Sequence, residues 1–198
     1  MTFSIMGHCP TTGQIGLALT SVTMGVGGIS PSYSYSGDIL VVQAKGNPRA
    51  GLAGARALDA GCSVEEALAA IIGADVDVEE RQIAIMRRDG SVIARTGQKN
   101  QPWAGELYGQ SCLAFGNVLK GPEVVAAMVA GFETAEGLPL AARLIAGLEG
   151  GRDAGGQSPA SGRHYSERIC PAIRPAVGNY PPPCGAGEIV IPDWDESC

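Results

Sequence analysis

The chain has 198 residues, with 14 Lys and Arg against 20 Asp and Glu, a net charge of -6 and six cysteines. That length fits one domain with a real core, and the acidic balance with no basic run argues against nucleic acid as a partner. No apolar stretch reaches the ~18 residues of a membrane span, and no basic segment leads into an apolar one near the start, so a cytoplasmic protein with free thiols is expected.

Thr2 to His8 alternates polar and apolar residues, the period of a half-buried strand. Cys9 to Gly13 is a turn punctuated by Pro10 and Gly13, and Gln14 to Val22 alternates again, so the two runs predict a hairpin. Met24 to Gly37 is a soft stretch rich in Gly, Ser and Tyr, read as a loop. Asp38 to Ala44 is an apolar strand. Asn47-Pro48 then opens a helix that Gly61 stops, and the capping box Ser63-Val64-Glu65-Glu66 opens a second, running to about Gly73. Asp75, Asp77, Glu79 and Glu80 read as a solvated acidic loop.

Gln82 to Arg88 and Ser91 to Thr96 predict a second hairpin around Asp89-Gly90. Gln98 to Gly109 reads as irregular, and Ser111 to Phe115 as a further strand ending at Gly116-Asn117. Pro122 opens a third helix. A break at Gly137-Leu138-Pro139 precedes a fourth, Leu140 to Leu148, which Gly150-Gly151 is expected to end. Strands and helices fall in separate blocks, so an α+β fold is expected: a four-layer αββα sandwich of two mostly antiparallel sheets with two helices on each outer face. The domain is expected to span 1–156. Residues 157–198 change character, rich in Pro and Cys, with Tyr180-Pro181-Pro182-Pro183 favouring an extended conformation and only Glu188 to Ile191 reading as a strand.

Two histidines, His8 and His164, make a metal site unexpected, and no cysteine pair has zinc-knuckle or redox spacing. No cofactor motif is present. Met24 to Gly28 matches a phosphate loop in glycine content only. The residue that points to chemistry is Thr2. Removal of Met1 would leave a hydroxyl and a free α-amine on one residue, a nucleophile with its own base. The amine's ordinary pKa of ~7.7–8.0 leaves a neutral fraction at neutral pH. Gly116-Asn117 at a strand end is the candidate oxyanion donor. Gln43, Lys45 and Asn47, at the end of the third strand, are candidates to line the site.

These residues carry a resemblance. Met1-Thr2-Phe3-Ser4-Ile5, Val42-Gln43-Ala44 with Asn47-Pro48, Arg81-Gln82-Ile83-Ala84-Ile85, Thr96-Gly97, Trp103-Ala104-Gly105 and Gly116-Asn117-Val118-Leu119 occur in this order. Over about residues 1–150 the chain resembles a family of bacterial and archaeal proteins of unknown function in the N-terminal nucleophile (Ntn) hydrolase superfamily. The resemblance implies an αββα sandwich, Thr2 as nucleophile and cleavage of an amide or related acyl bond in a small substrate. It departs at Lys45-Gly46, where the family has a different pair, and again after Gln157-Ser158. There only Asp193-Trp194-Asp195 matches the family's acidic stretch. A homo-oligomer would cover the sheet edge that a divergent tail leaves free. The rival readings are a small-molecule-binding protein without turnover and an oligomeric scaffold.

Overall fold

A computed structural model describes residues 1–23 and 25–157, and the backbone of 168–174. The strands are β1 (Thr2–Cys9), β2 (Gln14–Ser21), β3 (Pro31–Tyr33), β4 (Ile39–Ala44), β5 (Arg81–Met86), β6 (Val92–Thr96), β7 (Ala104–Gly109), β8 (Cys112–Asn117) and β9 (Arg168–Arg174). The helices are α1 (Pro48–Asp59), α2 (Val64–Gly73), α3 (Pro122–Thr134) and α4 (Leu140–Asp153). One sheet has the order β7-β8-β1-β2-β9 and the other β3-β4-β5-β6, with neighbouring strands antiparallel.

Side-chain alternation turns these sheets into layers. On β1, Phe3 and Ile5 pack with α3 and α4, whereas Met6 packs between the sheets. On β4, Leu40 and Val42 pack with α1 and α2, whereas Ile39 and Val41 face the other sheet. Three apolar cores therefore separate four layers, helices–sheet–sheet–helices, as the block order of the sequence implies.

The caps follow the sequence. The Asn47 side chain accepts from Ala50 N, and Ser63 and Glu66 close a reciprocal capping box. Four elements differ from expectation, one of them β9, which lies in the tail where only Glu188 to Ile191 reads as a strand. Pro31–Tyr33, inside the soft stretch, pairs with β4 as a short edge strand. Ala104–Gly109, read as irregular, is the edge strand β7, whose exposed Leu107 and Tyr108 blur the alternation. Helix α4 continues through Gly150-Gly151 to Asp153. These glycines serve close helix packing instead of termination: a Cβ at Gly150 would lie 2.5 Å from the Ala127 carbonyl oxygen of α3.

The acidic loop also departs from a simple solvated turn. Asp75 is buried, 2.8 Å from Arg81 Nε, and accepts from Asn47 Nδ2 at 2.8 Å. It ties the cap of α1 to the start of β5. The expected strand Glu188 to Ile191, the polyproline stretch, His164, Cys184, Cys198 and Asp193-Trp194-Asp195 lie outside the described residues. Strand β9 pairs with β2 over Ile15 to Ser21, covering that edge of the larger sheet.

Candidate functional site

The end of the sandwich that holds Thr2 is built from two facing polar rows. In the larger sheet, Ser21, Thr2, Asn117 and Ala104 are in register across β2, β1, β8 and β7. In the smaller sheet, Gln43, Gln82 and Thr96 are in register across β4, β5 and β6. The phase of each strand aims these side chains between the sheets. Thr2 and Ser4 alternate with Phe3 and Ile5, and Gln43 and Gln82 continue the faces of Val41 and Ala84.

The rows are joined by hydrogen bonds. Ser4 Oγ donates to Gln43 Oε1 at 2.7 Å, and Gln43 Nε2 donates to Gln82 Oε1 at 2.9 Å. Asn117 Nδ2 donates to the same Gln82 oxygen at 3.2 Å. Gln82 Nε2 lies within donating distance of Thr96 Oγ1, Gly105 O and Gly116 O, at 2.8, 3.1 and 2.9 Å. The Thr96 hydroxyl donates to Glu106. Thr2 is 4% exposed, Gln43 and Asn117 1% and Gln82 0%, so this is a buried network in which unpaired atoms are costly.

Thr2 itself sits at the edge of that network. Its Oγ1 is 3.1 Å from Ser21 Oγ, which also donates to the Met1 carbonyl oxygen at 2.8 Å and accepts from Thr23 N at 3.1 Å. Burial lowers the Met1 α-amine below its ordinary value, which favours the neutral form. Two strands break at this level with left-handed residues: Ala44 after Gln43 at φ 76° and Val118 after Asn117 at φ 56°. A β-branched residue such as Val118 is strained there, and such strain accompanies constrained sites.

The sequence candidates divide. Thr2, Asn117 and Gly116 converge, with Thr2 and Asn117 in register and Gly116 O held by Gln82. A Cβ on Gly116 would meet Phe3 Cβ at 2.9 Å and Thr2 O at 3.0 Å, so glycine lets β8 lie close against β1. Gln43 belongs to the network through Ser4 and Gln82. Lys45 is turned to solvent, its side chain 67% exposed and 2.6 Å from Glu80. Asn47 is engaged by Ala50 N and Asp75. Sequence reasoning passed over Ser21, Gln82, Thr96 and Glu106 as site residues. The available signal was a polar residue in the buried phase at the end of an otherwise apolar strand, as at Gln82 before Ile83-Ala84-Ile85.

Among the described residues no group of three or more His, Cys, Asp or Glu could hold a metal, and no helix is long and apolar enough to cross a membrane.

Comparison with known proteins agrees with the architecture. None of the curated proteins matches the chain. A crystal structure of protein SPO2555 from Silicibacter pomeroyi, itself titled with the family DUF1028, is 33% identical over 78% of this chain and 71% of that one, with a TM-score of 0.71. Residues 2–164 match the pattern described as "Family of unknown function (DUF1028)". On both grounds, the chain belongs to the DUF1028 family of unknown function.

Proposed function

We propose that this protein is an N-terminal nucleophile amidohydrolase that cleaves a small amide or peptide-like bond with Thr2. The observation that carries the reading is the Thr2–Ser21 contact at 3.1 Å, with Ser21 Oγ also 2.8 Å from the Met1 carbonyl. That carbonyl carbon is bonded to the Thr2 nitrogen. Excision of Met1 therefore leaves Ser21 Oγ beside both the Thr2 hydroxyl and the new α-amine. One serine then orients nucleophile and base together. Burial lowers the Met1 amine, and the same surroundings favour the neutral, proton-accepting form of the amine that its excision leaves.

In this mechanism Thr2 Oγ1 attacks the carbonyl carbon while the α-amine takes its proton. The second N–H of Asn117, the one not given to Gln82, is available to the oxyanion. The tetrahedral adduct collapses, the C–N bond breaks and the amine proton passes to the leaving nitrogen. An ester on Thr2 remains. The α-amine then takes a proton from water, hydroxide adds to the ester, and the acid departs as Thr2 regains its proton.

The test has two parts. Intact mass establishes whether Met1 is removed. A β-lactone acyl probe is then incubated with the processed protein and the N-terminal peptide is mapped. An ester adduct on Thr2, absent from Thr2→Ala and retained in Thr2→Ser, is expected. Retention of Met1, or equal labelling of Thr2→Ala, overturns the mechanism and leaves binding without turnover as the reading.

A further inference from the structure

An open cleft of about 510 Å³ lies where β6 passes to β7, lined by Thr96, Asn100, Trp103, Ala104 and Glu106 among others. It shares Thr96 and Ala104 with the two rows. Ala104 is in register with Asn117, and Asn117 with Thr2, so the cleft wall begins two strands from the nucleophile. At ~4.8 Å per strand that is roughly 10 Å along the row. Glu106 lies two residues further along β7, on the same face, where it receives the Thr96 hydroxyl.

The chemistry of the cleft is one-sided. Among the described residues, no Lys or Arg stands within ion-pair distance of Glu106. Asn100 donates Nδ2 to the carbonyls of Arg81 and Gly97 at 2.8 and 3.0 Å, which fixes its amide orientation. Its Oδ1 is left as a buried acceptor without a partner. The indole of Trp103 spans Gly105, where a Cβ would meet the ring at 2.8 Å. A half-buried carboxylate, an acceptor with no donor and an aromatic ring together favour a cation that brings N–H donors.

We propose that this cleft binds a primary ammonium group on the substrate, so that the protein acts on small amides carrying a basic arm. The ammonium meets Glu106, the arm lies against Trp103, and the scissile amide reaches Thr2. The proposal rests on the amidohydrolase reading for the identity of the reacting bond. Recognition of the cation rests on the cleft alone.

The experiment uses the full chain with Thr2→Ala, which removes the nucleophile, and compares N-acetyl-lysinamide with its neutral counterpart N-acetyl-norleucinamide by calorimetric titration. At low salt the lysine amide is expected to bind at least tenfold more tightly. Raising the salt should shrink that ratio. Adding Glu106→Gln, whose side-chain oxygen can still accept from Thr96, should bring the ratio near one. Equal binding of the two amides, a ratio that survives Glu106→Gln, or no binding of either overturns the proposal. Thermal unfolding of Glu106→Gln within a few degrees of its parent shows that the lost ratio reflects charge and not misfolding. A cation preference without any Thr2 acyl adduct in the native chain would overturn the nucleophile alone. An adduct without cation preference would overturn the cleft alone.

Discussion

Gln82 Nε2 of the smaller sheet lies 2.9 Å from the carbonyl oxygen of Gly116 in the larger sheet, one residue before Asn117. A side chain of one layer is thus bonded to the backbone of the other, beside the candidate oxyanion donor. The same amide oxygen receives Gln43 and Asn117, so Gln82 sets the spacing of the two polar rows.

Replacing Gln82 by Leu removes this bridge and leaves the Gly105 and Gly116 carbonyls and the Asn117 and Gln43 amides short of partners. Each orphaned buried group costs ~1–3 kcal/mol, offset in part by burial of the leucine side chain, so a net loss of about 3 kcal/mol is expected. In a domain of this size that lowers Tm by roughly 6–12 °C. Calorimetry checks it, and a loss below two degrees would mean that the network relaxes without Gln82.

Asn117→Ala separates positioning from binding. If its free N–H meets the oxyanion, kcat falls by ~10²-fold or more with KM little changed. Steady-state kinetics on any amide that the protein turns over reads the two constants. A rise in KM at constant kcat would make Asn117 a ground-state contact.

Asp75 predicts an acid limb to stability. The hydrogen bond from Arg81, followed by those from Asn47 and the Asp77 backbone, holds its carboxyl below the ordinary range. A depressed folded pKa contributes stability above the unfolded value of ~3.9, and that contribution is lost as pH falls through the folded value. The Asp75 side chain is 3% exposed and that of Arg81 11%, so Asp75→Asn takes the buried partner from a guanidinium that keeps only the longer contacts to Asp77 and Glu80, at a cost of about 3 kcal/mol at pH 7. Urea unfolding at pH 7 and at pH 2 should show the gap between variant and native chain closing at the lower pH. A pH-independent gap would assign the loss to packing.

Gly150→Ala sets two effects against each other. Alanine in a helix gains ~1 kcal/mol over glycine, but here its Cβ would lie 2.5 Å from the Ala127 carbonyl oxygen. Overpacking at such a contact costs ~1–3 kcal/mol, so a net destabilisation is expected from denaturant midpoints. An increased midpoint would show that α3 and α4 separate freely.

The described thiols should react in a set order. Cys9 is half-buried and its pKa is lowered, first by the Thr12 side chain. Cys112 is buried, and that burial, with the Glu133 charge nearby, pushes its thiol up to about 12. At pH 8 iodoacetamide should label Cys9 first and Cys112 only on unfolding. Peptide mapping decides it, and early labelling of Cys112 would reveal local opening of β8 against α3.

The local elements and their blocks are legible along the chain. Alternation in Thr2 to His8 and in Gln82 to Arg88, the caps at Asn47 and Ser63, and the helical spacing of Val124, Val125, Met128 and Val129 are short-range signals that neighbours along the chain decide. Thr2 stood out because its chemistry needs only one residue. What lies opposite what depends on long-range pairing. Register across β1, β2 and β8 brings Ser21 and Asn117 to Thr2, although 19 and 115 residues separate them. Stacking of the sheets brings Gln43 and Gln82 to the same end. Pairing of β4 with β5 sets Lys45 beside Glu80, and Asn47 meets Asp75, contacts that position along β4 did not reveal. Edge strand β7 and the helical Gly150-Gly151 escaped for the same reason. Their local pattern is weak, and only pairing with β8 and contact with α3 stabilise them.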